Sequence, residues 1–160
     1  MSTGIPTLKI GKYQARYPLI QGGMGVGISG ANLAGHASRC GAIGTIASVG
    51  LCHDSPLLRE KSHHYFEVNR IVIKETLAKA RALAGEDGIL AVNCMVALTD
   101  YDTEVRAAAE GGADIIISGA GLPAAPLPPA RLRRSVHHRP QDPERPPLQH
   151  TPVQPSAAPP

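Results

Sequence analysis

Three short clusters hold the groups in this chain best suited to chemistry. They are Gln21-Gly22-Gly23-Met24, Asn93-Cys94-Met95 and Ser118-Gly119-Ala120-Gly121. Paired glycines let backbone N–H groups approach a flat or anionic ligand with no Cβ in the way. Met24 adds a polarizable thioether, and Asn93 carries both a donor and an acceptor. Ser118 and Gly119 repeat the small, polar pattern. Together these groups suit the cradling of a planar ligand rather than nucleophilic attack. Each has a plainer alternative. The glycines and Ser118 could be turn residues, Met24 a core filler, and Asn93 a cap for the loop after it.

Each cluster lies where an apolar run ends. Tyr17 to Gln21, Ala42 to Val49, Gly88 to Ala97 and Asp114 to Ser118 read as strands, and Leu8-Lys9-Ile10 as a short extension before them. Between them, helical spacing marks Ile28 to Cys40, with Ser29 as its cap and Gly41 as its stop, then Asn69 to Ala84, and then a helix opened by Thr99-Asp100 and ending near Glu110. Leu51 to Val68 reads as a long irregular loop. Strands with little polar interruption, alternating with helices, indicate an α/β protein with a parallel sheet.

The composition changes along the chain. Most of the 15 prolines lie beyond Ala124, and so does the excess of base over acid behind the net charge of +3. A basic stretch confined to one end is no nucleic-acid signature for the whole chain. Residues 1–123 form one expected unit, and 124–160 a disordered Pro- and Arg-rich tail. No apolar run reaches the ~20 residues that a membrane span needs, and no secretory signal is visible. Three scattered cysteines, Cys40, Cys52 and Cys94, without a CxxC pair suit reduced core thiols and a cytoplasmic setting. His63-His64 is not a metal pair, because adjacent residues do not share a face, and His36 reads as structural. No metal site is expected.

The three clusters, in this order at successive strand ends, resemble the nitronate monooxygenase (2-nitropropane dioxygenase) family over residues 5–123. The resemblance implies a (β/α)8 TIM barrel, here its first four strands, with FMN at the mouth. It implies flavin contacts at Gln21, Gly22, Gly23, Met24, Asn93, Ser118 and Gly119, and oxidation of a small alkyl nitronate with O2. A related branch, the flavin-containing enoyl-acyl carrier protein reductase, shares these features. The family's histidine in a Gly-Gly-His segment beyond the fourth strand has no counterpart here, so no catalytic residue is assigned. The FMN phosphate site, expected after strands seven and eight, is also missing. The chain therefore reads as a truncated, inactive form whose tail could come from a frameshift, with a small molecule as ligand and self-association through exposed strand edges.

Two other readings compete. Gly25-Val26-Gly27-Ile28-Ser29-Gly30 spells GxGxxG between a strand and a helix, as in a Rossmann dinucleotide-binding domain. That fingerprint wants an acid about 20 residues on, at the end of the second strand. Ser48-Val49-Gly50 stands there instead. The other alternative is a half-barrel fragment with no enzymatic role and an unrelated tail; separately, the Pro-rich tail itself reads as a ligand for a partner's aromatic groove.

Overall fold

The computed structural model describes residues 6–61 and 63–122 of the chain. The disordered tail expected over residues 124–160 lies outside that range. The chain opens with an antiparallel hairpin, β1 (Leu8–Ile10) and β2 (Tyr13–Ala15). Next come α1 (Ala31–Arg39), β3 (Ile43–Ala47), a short α2 (Pro56–Glu60), α3 (Tyr65–Ala84), β4 (Ile89–Met95), α4 (Tyr101–Glu110) and β5 (Ile115–Gly119). Strands β3, β4 and β5 form a parallel sheet in that order. The protein is thus mixed α/β, and its described strands do not close into a barrel.

Alternation along the strands sorts the core into two layers. Ile46, Leu90, Val92 and Cys94 face the helices and pack with Ala34, Ile73, Leu77, Val105 and Ala108. Ile43, Ile89 and Ala91 face the other way. The hairpin covers them with Ala15, Leu8, Ile10 and Tyr13. Gly44 permits the closest approach in the fold. A Cβ there would lie 1.9 Å from the Ala34 carbonyl oxygen, so α1 rests directly on the β3 backbone. At the leading end of the sheet, Asp114 accepts the Leu90 N–H at 2.9 Å and pairs with Arg81, which fixes the start of β5 against β4.

Several sequence expectations need correction. The strand expected over Tyr17 to Gln21 is reduced to one parallel bridge, Ile20 with Ile43. Pro18 has no N–H to give a ladder, and Gly22-Gly23 turns the chain away immediately afterwards. The long loop contains α2, started by Pro56 at its first turn, and α3 begins at Tyr65 rather than Asn69. Leu57 and Leu58 pack with Cys52, Val68 and Val72, giving that segment a small core of its own. Helix α1 begins at Ala31, with Gly30 rather than Ser29 at its N-cap. Cys52 and Cys94 are core residues, but Cys40 is exposed.

Replacing Gly44 by alanine forces α1 off the sheet. Overpacking of this kind costs about 1–3 kcal/mol, or more where backbone is struck. Urea unfolding of G44A is expected to show that loss. Gly22→Ala, whose Cβ would meet nothing within 4 Å, is expected to stay within about 1 kcal/mol of the parent, the ordinary cost of a glycine's backbone freedom.

Candidate functional site

The first cluster is held by two side chains. The Thr45 N–H, one step past the last backbone bond of the Ile20 bridge, donates to Gln21 Oε1 at 2.9 Å. Gln21 Nε2 donates to Ser29 Oγ at 2.9 Å and also contacts the Gly22 carbonyl. Ser29 Oγ in turn donates to the Gly22 carbonyl at 3.1 Å and accepts the Met24 N–H at 2.9 Å. The Ser29 backbone adds bonds to Met24 and Ala47. Residues 21–29 therefore form a closed loop pinned to the C-terminal end of β3. Ser29 is fully buried, and its role as the internal tie of this loop was not visible in the sequence. Within the loop, Val26 sits at φ 53. That region is unfavourable for a β-branched residue, and the bond from the Val26 N–H to the Val49 carbonyl holds it there.

The pinned loop brings Gly23 over Asn93. A Cβ on Gly23 would lie 2.8 Å from Asn93 Cβ and 3.0 Å from its Nδ2. A Cβ on Gly119, from β5, would lie 3.2 Å from Asn93 Oδ1. Three of the sequence-selected residues thus converge at the C-terminal end of the sheet, with the Asn93 amide between two glycines. That amide makes no hydrogen bond among the described residues. Gly22 faces open space, and Met24 is 47 % exposed beside it. The Gln21 amide is spent on the loop. Ser118 does not share the mouth expected for it. Its parity is that of Ile116, which packs on the helix layer, and its Oγ lies 2.7 Å from the Tyr101 hydroxyl on α4.

A buried polar set lies behind Asn93, and the sequence reading missed it. Glu104 on α4 is 1 % exposed. Its Oε2 lies 2.5 Å from Ser48 Oγ, and its Oε1 accepts Asn69 Nδ2–H at 2.8 Å. Ser48 Oγ also lies 3.0 Å from the Asn93 carbonyl. A hydroxyl has one proton and cannot donate to both oxygens. A protonated Glu104 resolves the conflict, because its Oε2–H donates to Ser48, which then donates to Asn93. Burial agrees and pushes the Glu104 carboxyl up to about 7; nearby Asp100 acts in the same direction, while bonds from Ser48 and Asn69 act against it. Asn69 also donates to the Ser48 carbonyl and accepts the Cys52 N–H. The set thus ties the ends of β3 and β4 to α3 and α4. Burial, followed by the nearby Glu104, holds the Cys94 thiol protonated, at about 12. The signal available in the sequence was a carboxylate on the apolar stripe of α4, flanked by Tyr101, Val105 and Ala108.

Among the described residues no cluster of metal-ligating side chains is present. No helix among them is long and apolar enough to cross a membrane. No protein-family model matches the chain, and no curated protein matches it.

The raised Glu104 pKa fixes a sign. The unfolded carboxyl loses its proton near the ordinary 4.5 and the folded one near 7. Between those values the folded state holds the extra proton, so stability falls as pH rises through the window, and the full penalty stands above it. By linkage the effect is roughly 3 kcal/mol. Glu104→Gln keeps the neutral geometry and cannot ionise. Urea unfolding at pH 5 and pH 8 is expected to show the parent losing stability relative to E104Q as pH rises. A constant difference between the two proteins would remove the buried neutral acid.

Proposed function

We propose that the described residues are an arc of a flavin-binding barrel of the nitronate monooxygenase type, with the ring of FMN at the mouth formed by Gly22, Gly23, Met24 and Asn93. The observation that carries this reading is the Asn93 amide between Gly23 and Gly119, which has no hydrogen-bond partner among the described residues. A half-buried amide without a partner forgoes hydrogen bonds that a ligand edge could supply. Strand order supports the same reading. From the Ile20 bridge through β3 and β4 to β5, neighbours follow chain order in parallel, as they do around a barrel. A doubly wound dinucleotide fold reverses its order at a switch point, and its ligand sits there.

The fit is partial. The glycine pair and Asn93 suit the ring. The phosphate anchor of such barrels comes from loops after strands seven and eight, and none of these is among the described residues. When bound, FMN would accept electrons from a carbon acid such as an alkyl nitronate and pass them to O2. The chain's own share is positional. The Gln21–Ser29 knot fixes the loop, Gly23 brings its backbone over Asn93, and the Asn93 amide offers a donor and an acceptor to the ring edge. No described residue is assigned the removal of the substrate's proton.

Equilibrium dialysis with riboflavin and FMN tests this reading. The two flavins are expected to bind alike, because the ring rather than the phosphate is held. Asn93→Ala is expected to weaken both by about tenfold, the worth of one net hydrogen bond at about 1–1.5 kcal/mol. Absence of riboflavin binding, or an N93A variant that binds as the parent does, would contradict the assignment.

A further inference from the structure

We propose that a second copy of this chain is the partner of its two open sheet edges, so that two chains close one eight-stranded parallel ring; this rests on the barrel reading above. The described sheet ends on one side at β5 and on the other at the Leu19–Gln21 segment. Both edges run in the same direction, so β5 of one chain can extend its ladder onto the first segment of the other. Four parallel segments per chain are half of the eight that close a barrel of this kind. Two identical junctions then use up every edge.

Among the described residues neither edge carries the usual protection against pairing. Exposed strands are blunted by charges, bulges or covering elements. Leu19-Ile20-Gln21 and Ile115-Ile116-Ile117-Ser118-Gly119 contain no charged residue. Leu19 is 62 % exposed and Ile20 46 %, and every residue of β5 is half-buried. Charge complements this arrangement at the leading ends of the strands. Arg16 precedes the first segment, and exposed Glu86 and Asp87 precede β4, next to β5. Closure would bring Arg16 of one chain toward those acids of the other. It would also set the Gln21–Met24 loop of one chain beside the Ser118–Gly121 turn of the other, so the single mouth of the ring would take residues from both chains.

Light scattering behind size-exclusion chromatography, run on the full chain without flavin, tests this. The expected mass is twice the 16.7 kDa of one chain. Leu19→Lys replaces an exposed side chain, so its helical circular dichroism is expected to match the parent's. It places an uncompensated charge in the junction and is expected to weaken the dimer by about tenfold or more. Phe66→Lys, on the exposed start of α3, is expected to leave the dimer intact. A monomeric parent, an open series of larger species, or dissociation by F66K and not by L19K would overturn the ring. Flavin binding is a separate outcome. A dimer that binds no riboflavin keeps the ring and removes the flavin, while a monomer that binds riboflavin does the reverse.

Discussion

The Gln21 side chain continues the parallel ladder where the backbone leaves it. Pro18 and Gly22 shorten the first segment to a single bridge, so the Thr45 N–H at the next step would have no acceptor. Gln21 Oε1 takes that bond, and the other end of the same amide grips Ser29. A buried amide N–H left unpaired costs about 1–3 kcal/mol, so the substitution stabilises the sheet edge. It also decides where the glycine loop lies. Together with the Ser29 bonds to Gly22, Met24 and Ala47, that grip holds Gly23 against Asn93.

The strand ends beneath Asn93 depend on a second constraint. The ends of β3 and β4 are tied by Ser48, and Ser48 is held by Glu104 and Asn69. A carboxylate in that position would be an unpaired buried charge, which is expensive. A neutral carboxylic acid gives each donor in the set an acceptor and needs no cation. Among the described residues the same layer leaves the Asn93 side chain without a hydrogen bond on the opposite face of the sheet, because neighbouring atoms of Asn93 divide the work. Its carbonyl serves the scaffold, and its amide remains available at the mouth.

The α/β class and most elements were legible in the sequence because the apolar runs and helical stripes are long and clearly bounded. Ile43–Ala47, Ile89–Met95 and Tyr101–Glu110 fall within two residues of the expected spans. The first strand was overestimated because Tyr17 to Gln21 has the composition of a strand while Pro18 and Gly22 remove its ladder. Helix α2 went unread because five residues are too few to show a period. At the site, Gly23, Asn93 and Gly119 were chosen by residue type and position, and they do meet. Ser118 was misplaced by one step of strand parity. Ser29 and Glu104 were missed because their roles are long-range: a serine before a helix looks like a cap, and a glutamate on a helix looks like a solvated charge until the fold buries it.

The central claim is that a planar ligand meets Asn93 rather than the glycine-rich loop before α1. Amide NMR of the isotope-labelled chain during a riboflavin titration tests it directly. The account predicts that the Asn93 side-chain N–H₂ signals and the Gly22 and Gly23 backbone signals shift together and saturate on one curve. Shifts at Gly25, Gly27 and Gly30, with Asn93 unmoved, would contradict it and move the ligand to the helix entrance.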